Sequence, residues 1–103
     1  MTFPANWQNP IAALPGQFQT NVDPAALLPS RHDLSRVRLD IQKALLDSGT
    51  QRHTPILVTS DGVIWDGHHA VRVACEEGKK VAVRVVRQKA NPSAASIMDL
   101  SVG

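Results

Sequence analysis

Two adjacent histidines, His68 and His69, follow Asp66 and Gly67 at the point where a short apolar strand leads into a predicted helix. The first backbone N–H groups of a helix have no intrahelical partner, and the helix dipole places partial positive charge at that end. A glycine at the entry lets a ligand approach the backbone closely. This order of strand, glycine and helix N-terminus predicts a site for a phosphate or another anion.

The two histidines would add side-chain chemistry to this turn. An imidazole whose pKa is about 6.5 can move a proton near neutral pH, or steady a phosphate when it is charged. The alternative is a tight turn in which one histidine is capped and the other is exposed. Asp66 suits Mg²⁺ binding or a base, although helix capping would also explain it. No metal site is predicted, because adjacent histidines lack the i, i+4 spacing that directs two imidazoles to one ion.

Hydrophobic patterns place this turn in a series of strands and helices. An apolar stripe at helical spacing predicts a long helix that ends before Gly49, with Asp33 or Ser30 as its cap. Alternating or β-branched runs predict strands at residues 18–22, 56–59, 63–65 and 81–86, and a second helix is expected at residues 69–77. The stripe of the first helix consists of Leu34, Val37, Ile41 and Leu45. The order predicts an α+β domain, with a small mixed sheet, a hairpin and two main helices.

Composition limits the class of protein. The chain has 103 residues, of which 43% are hydrophobic and 19% charged, as is typical of one globular domain. Its net charge of +2 and its pI near 9.1 would favour nucleotides or nucleic acid as partners. The single cysteine, Cys75, excludes an internal disulfide and favours the cytoplasm. A toxin domain that is delivered into the cytoplasm of a target cell would have the same features. No membrane-spanning run is predicted.

Three regions are expected along the chain. Residues 1–17 contain three prolines and no regular period, which predicts an extended leader. Residues 18–87 form the domain, in which Arg52 and His53 are expected to be exposed in a loop. Residues 88–103 are expected to be a C-terminal tail, whose apolar residues would form a small docking patch for a protein partner. These residues are Ile97, Met98 and Leu100.

The ordered set of elements resembles the fold shared by the ParB N-terminal domain and sulfiredoxin. The resemblance covers about residues 18–87 and includes an Asp-Pro helical turn, a Pro-x-Arg connector, the segment Pro-Ile-Leu-Val and a final Val-x-Val strand. Asp-Gly-His-His at residues 66–69 is similar to the Asp-Gly-His-His-Arg form found in free-serine kinases. ParB-type proteins usually have Gly-Glu-Arg-Arg there, and sulfiredoxins have Gly-Cys-His-Arg. Ala70 stands where this pattern has an arginine that helps to hold phosphate.

The resemblance implies roles for individual residues. Gly67, His68 and His69 would bind phosphate, and Arg31 of the connector would replace the missing arginine. Asp33 matches the region of the catalytic acid in free-serine kinases, and a helix cap is the alternative role for it. His32 and Arg72 would support the site together with Asp66, although Arg72 lies about 200° around the helix from Ala70. Cys75 lies away from the position of the sulfiredoxin nucleophile, and we expect it to be a small buried hydrophobic residue.

Three functions follow as hypotheses. The first is a nucleotide- or phosphate-binding domain that performs phosphoryl transfer or hydrolysis with Mg²⁺ and ATP, ADP or CTP, in which Asp33, His68 and His69 are catalytic. The second is a ParB-like nuclease that acts on nucleic acid as the toxic part of a larger polypeptide. The third is a non-catalytic module that binds DNA, RNA or protein, and Ala70 would favour it if the missing arginine signals a lost active site.

Overall fold

Six strands and two helices lie in the part of the chain that the computed structural model describes, residues 3–49 and 55–103. Short 3-10 turns occupy Pro24–Ala26 and Ile97–Asp99. The predicted loop residues Arg52 and His53 lie outside the described residues. The strands are β1 (Phe18–Val22), β2 (Asp33–Leu34), β3 (Ile56–Thr59), β4 (Ile64–Asp66), β5 (Val81–Val86) and β6 (Ser101–Val102), and the helices are α1 (Arg36–Asp47) and α2 (His68–Glu77).

The main sheet has the strand order β1-β5-β3-β4. Strand β5 is antiparallel to β1 and parallel to β3, and β3 is antiparallel to β4. The turn between β3 and β4 is tight, because the N–H of Gly62 donates to the carbonyl of Thr59 at 3.0 Å. Strands β2 and β6 form a separate parallel pair. The structure is therefore a mixed α/β domain with two helices and a mixed sheet, which confirms the predicted α+β class.

The core lies between the main sheet and helix α2. Successive side chains of β3 and β5 alternate between the two faces of the sheet, and most of their β-branched residues lie on the covered face. Val58, Val83 and Val85 have no exposed surface, and Val71 of α2 is equally buried. Helix α1 packs against α2. Among the described residues, no helix has the length and apolar character needed to cross a bilayer.

The predicted apolar stripe of α1 is wrong. The helix begins at Arg36, and Leu34 lies in β2. A helical period counted from Leu34 therefore assigns the wrong face of α1 to the core. Val37 and Ile41 are 68% and 53% exposed, whereas Leu39 is 3% exposed and faces the core. Val37 and Ile41 lie about 160–200° around the helix axis from Leu39, which explains their exposure. The predicted caps are also wrong, because the hydroxyl of Ser35 accepts the N–H of Arg38 at 3.4 Å.

The two terminal regions both contact the domain. In the expected leader, the indole N–H of Trp7 donates to the carbonyl of Ala26 at 2.8 Å, and the amide of Asn9 donates to the carbonyl of Ser60 at 2.8 Å. In the expected tail, Ile97 has no exposed surface and Leu100 is 6% exposed. These two residues pack into the core, so they are not available to the docking patch that the sequence suggested.

Candidate anion-binding site

Helix α2 begins at His68, and Gly67 at the preceding N-cap position offers no side-chain cap. Gly67 has φ +101, in the left-handed region that favours glycine, and no described side chain accepts a hydrogen bond from the first turn. The carboxylate of Asp66 instead accepts the N–H of Gly67 itself, at 2.9 Å. Asp66 therefore does not cap the helix, and the N–H groups at the start of α2 are free to bind an anion.

A pocket of about 280 Å³ lies at this helix start, between α1 and α2. Its wall on the α2 side is the segment 66–70, which contains every residue of the predicted turn together with Ala70. Arg31 and Arg38 bring two guanidinium groups to the same pocket, and Ile41 and Gln42 complete the wall on the α1 side. An uncapped helix start and two guanidinium groups in one concave space can bind a phosphate group.

Arg31 lies beside the helix start, as the resemblance implied. Its guanidinium is 3.8 Å from the carboxylate of Asp33, and its side chain is 41% exposed. A partly exposed ion pair of this length contributes little to stability. Arg31 can therefore reorient toward an anion in the pocket at a small energetic cost.

Arg38 is the site residue that the sequence analysis missed. The predicted stripe, counted from Leu34, does not include Arg38 and gave it no role in the site. Arg38, Ile41 and Gln42 are spaced i, i+3 and i+4, so they share one face of α1. This spacing is the sequence pattern that could have identified Arg38 as a site residue. All three line the pocket, so this face of α1 forms the wall opposite the start of α2.

His68 is held by the connector that precedes β2. Its side chain is 6% exposed, and its Nε2 accepts the backbone N–H of Ser30 at 3.0 Å. Burial, followed by the nearby Arg31 guanidinium, lowers the pKa of His68 to about 4, although Asp66 acts in the opposite direction. The imidazole is therefore neutral near pH 7 and its proton resides on Nδ1.

His69, the next residue of α2, also accepts a backbone hydrogen bond. It is 8% exposed, and its Nε2 accepts the backbone N–H of Ser35 at 2.9 Å. Burial lowers the pKa of His69, and the guanidinium groups of Arg31 and Arg38 lower it further. Neither histidine carries a positive charge at neutral pH, so positive charge in the pocket comes from the arginines. The alternative that the sequence left open, a turn with one exposed histidine, is not observed, because both histidines are buried.

His32 and Asp33 lie beside this pocket rather than in it. Both are exposed, and they line a shallow depression that also contains Trp65, Asp66 and His68. Asp33 belongs to β2, where it pairs with Ser101, and it does not cap α1. The connector therefore approaches the predicted turn, as expected, but only Arg31 of this group reaches the pocket at the start of α2.

Arg72 does not support the site. Its Nε donates to the carboxylate of Glu76 at 2.8 Å, and its terminal N–H groups lie within 3.2–3.4 Å of three backbone carbonyls. The side chain is only 14% exposed. The three carbonyls belong to Ile97, Met98 and Leu100. Arg72 thus holds the C-terminal segment, on a different side of α2 from the pocket.

Within residues 3–49 and 55–103, no group of three or more histidine, cysteine or acidic side chains is arranged to hold a metal ion. Cys75 is half-buried and packs against the core, and burial raises the pKa of its thiol.

Comparisons with protein-family models, with curated proteins and with solved structures find no match to this chain.

Proposed function

We propose that this chain is a ParB/sulfiredoxin-like domain that binds a nucleotide through its phosphates at the start of α2. The observation that carries the proposal is the uncapped helix start, which shares one pocket with Arg31 and Arg38. Backbone N–H groups would bind phosphate oxygens, and the guanidinium groups would neutralise their charge. Arg38 would take the role of the arginine that Ala70 replaces, from the opposite wall of the pocket.

The apolar part of the pocket favours a nucleotide over inorganic phosphate. Ile41 lines the pocket and is 53% exposed, and Val37 lies one turn before it with 68% of its side chain exposed. A phosphate ion would leave this surface in water, whereas a base or a ribose could cover it. ATP, ADP and CTP are therefore the ligands to test first.

The position of Asp66 supports the binding of a nucleotide together with Mg²⁺. Its carboxylate is exposed at the edge of the pocket, and Mg²⁺ in nucleotide sites is commonly bound by one or two carboxylates in addition to the phosphates. Asp66 would hold the ion, which would neutralise phosphate charge. Phosphoryl transfer would further need an acceptor oriented by Asp33, whose carboxylate is 76% exposed beside Arg31. The geometry supports binding more directly than it supports transfer.

Calorimetric titration with ATP, ADP, CTP and inorganic phosphate, with and without Mg²⁺, tests the proposal. Arg38→Ala should weaken ATP binding about tenfold, the equivalent of one charge-assisted hydrogen bond. Arg36→Ala is the matched control, because Arg36 is exposed on the same helix and does not line the pocket. Ile41→Asn should weaken ATP binding more than phosphate binding. If none of these ligands binds at low salt, the proposal is wrong.

Substitution of His68 is a poor test of ligand binding. Its imidazole accepts the N–H of Ser30, so His68→Ala would disturb the connector as well as the helix start. Lost binding in that variant would not separate a contact with phosphate from a misplaced Arg31. Arg38 avoids this ambiguity, because no described residue forms an ion pair or hydrogen bond with its guanidinium group.

A further inference from the structure

A row of side chains crosses the face of the main sheet opposite to the helices. Strand register places Phe18 of β1 against Arg84 of β5, Arg84 against Leu57 of β3, and Leu57 against Asp66 of β4. The neighbouring residues on β5, Val83 and Val85, face the core and have no exposed surface. Because side chains alternate along a strand, Phe18, Arg84 and Leu57 lie on the outer face. Asp66 joins them because the register shift between Leu57 and Val58 pairs it with Leu57, whereas Ile64 of the same strand is buried.

The row begins with an exposed aromatic residue beside a cation. Phe18 is 60% exposed, and the guanidinium carbon of Arg84 lies 5.7 Å from the centre of its ring. No carboxylate among the described residues pairs with Arg84. An aromatic ring and a guanidinium plane are both surfaces on which nucleic-acid bases stack. This pair therefore offers a stacking surface and a free positive charge at the same place.

The row continues into a concave surface of about 550 Å³, to which Arg87 and Gln88 also contribute. Two arginines thus face one carboxylate, Asp66, in this concavity. The surface is therefore net positive at its β5 side, and Gln88 adds amide donors and an acceptor. This combination is suited to a partner that carries both phosphates and flat, polar rings.

We propose that the outer sheet face binds single-stranded nucleic acid, with a base on Phe18 and Arg84 and with phosphates near Arg84 and Arg87. The strand must be single, because the faces of bases in a duplex are already stacked and cannot contact Phe18. Neighbouring strands of a sheet are about 4.8 Å apart, so the row spans about 14 Å. This length accommodates about two to three nucleotides. The surface is separate from the nucleotide pocket, with only Asp66 bordering both.

Fluorescence anisotropy with labelled single-stranded oligonucleotides of about 12 nucleotides tests this proposal, at about 50 and about 200 mM salt. Phe18→Ala should weaken binding about tenfold, as expected for the loss of one stacked base. Arg84→Ala should weaken it and reduce the steepness of the salt dependence by about one ion. Arg36→Ala is the matched control on an exposed position of α1, and it should bind as the wild-type chain does.

Urea unfolding of each variant checks that its fold is intact, and we expect wild-type stability because the replaced side chains are exposed. Four outcomes would overturn the proposal. One is unchanged affinity in Phe18→Ala and Arg84→Ala. Another is equal affinity for duplex and single strands. The third is the absence of binding at the lower salt concentration. If only Arg38→Ala abolished oligonucleotide binding, the strand would occupy the nucleotide pocket, which would also overturn the proposal.

Discussion

The imidazole of His69 accepts the backbone N–H of Ser35 at 2.9 Å, and Ser35 is the residue that caps α1. This bond joins the first turn of α2 to the first turn of α1. Both helices border the pocket, so the bond sets the distance between Arg38 and the backbone N–H groups of α2. His69, which the sequence suggested as a ligand for phosphate, thus positions the groups that would bind it.

We expect His69→Ala to destabilise the domain. The substitution leaves the N–H of Ser35 without its acceptor in a partly buried place, which costs about 1–3 kcal/mol. Urea unfolding measures the loss, and His32→Ala is the control because His32 is exposed. Equal stability of the two variants would show that the bond from Ser35 to His69 contributes little.

Stability should fall as the pH is lowered, because the pKa of His68 drops from 6.5 in the unfolded chain to about 4 in the fold. The unfolded state then binds more protons between these values, so the stabilisation is complete above pH 6.5 and is lost progressively as the pH falls toward 4. The loss between about pH 7.5 and about pH 5.5 should be on the order of 1 kcal/mol.

Urea unfolding at these two pH values measures this loss, above the range in which most carboxylates titrate. His68→Gln removes the titrating imidazole, so its stability should depend less on pH than that of the wild-type chain. The lowered pKa of His69 acts in the same direction and leaves some dependence. A wild-type stability that rises as the pH falls across this interval would contradict the neutral, buried state of His68.

Arg72→Met should destabilise the domain without weakening ATP binding. Methionine preserves much of the aliphatic stem but leaves the carbonyls around Ile97 without the donors that Arg72 supplies. We expect a loss of about 1–3 kcal/mol in urea unfolding. Arg36→Ala, on an exposed position, should stay close to wild type. If Arg72→Met weakened ATP binding without a loss of stability, Arg72 would instead contribute to the binding site, as the sequence suggested.

Gly62→Ala should loosen the contact between the leader and the hairpin. A Cβ at this position would lie 2.5 Å from the amide oxygen of Asn9 and 2.9 Å from the ring of Trp7, and the backbone has φ +85. Gly16→Ala is the control, because Gly16 has φ +91 and open space around it.

Both substitutions strain a left-handed backbone, but only the first also displaces the leader. We expect Gly62→Ala to lose about 1–3 kcal/mol more than Gly16→Ala in urea unfolding. The fluorescence of the tryptophans should also shift in Gly62→Ala alone, as Trp7 leaves its place. Equal losses would mean that the leader adapts without cost.

Local signals in the sequence were sufficient for most of the secondary structure. The strands at residues 18–22, 56–59 and 81–86 have their predicted bounds, because β-branched residues and alternation act over a few positions. Asp23 caps the turn at Pro24, with its carboxylate accepting the N–H of Ala25 at 3.0 Å. Capping and proline preferences depend only on neighbours in the chain, so they can be deduced without the tertiary structure.

The sequence alone determined that a glycine-led helix start follows β4, and the resemblance implied that Arg31 of the connector lies beside it. Only the tertiary structure decided that both histidines are neutral supports for this connector and for α1, and that Arg38 is the second cation of the pocket. The physical reason is the rotation of α1 about its axis. Which face of a helix is buried depends on what packs against it, and here Leu39 packs inward while Arg38 and Ile41 face the pocket.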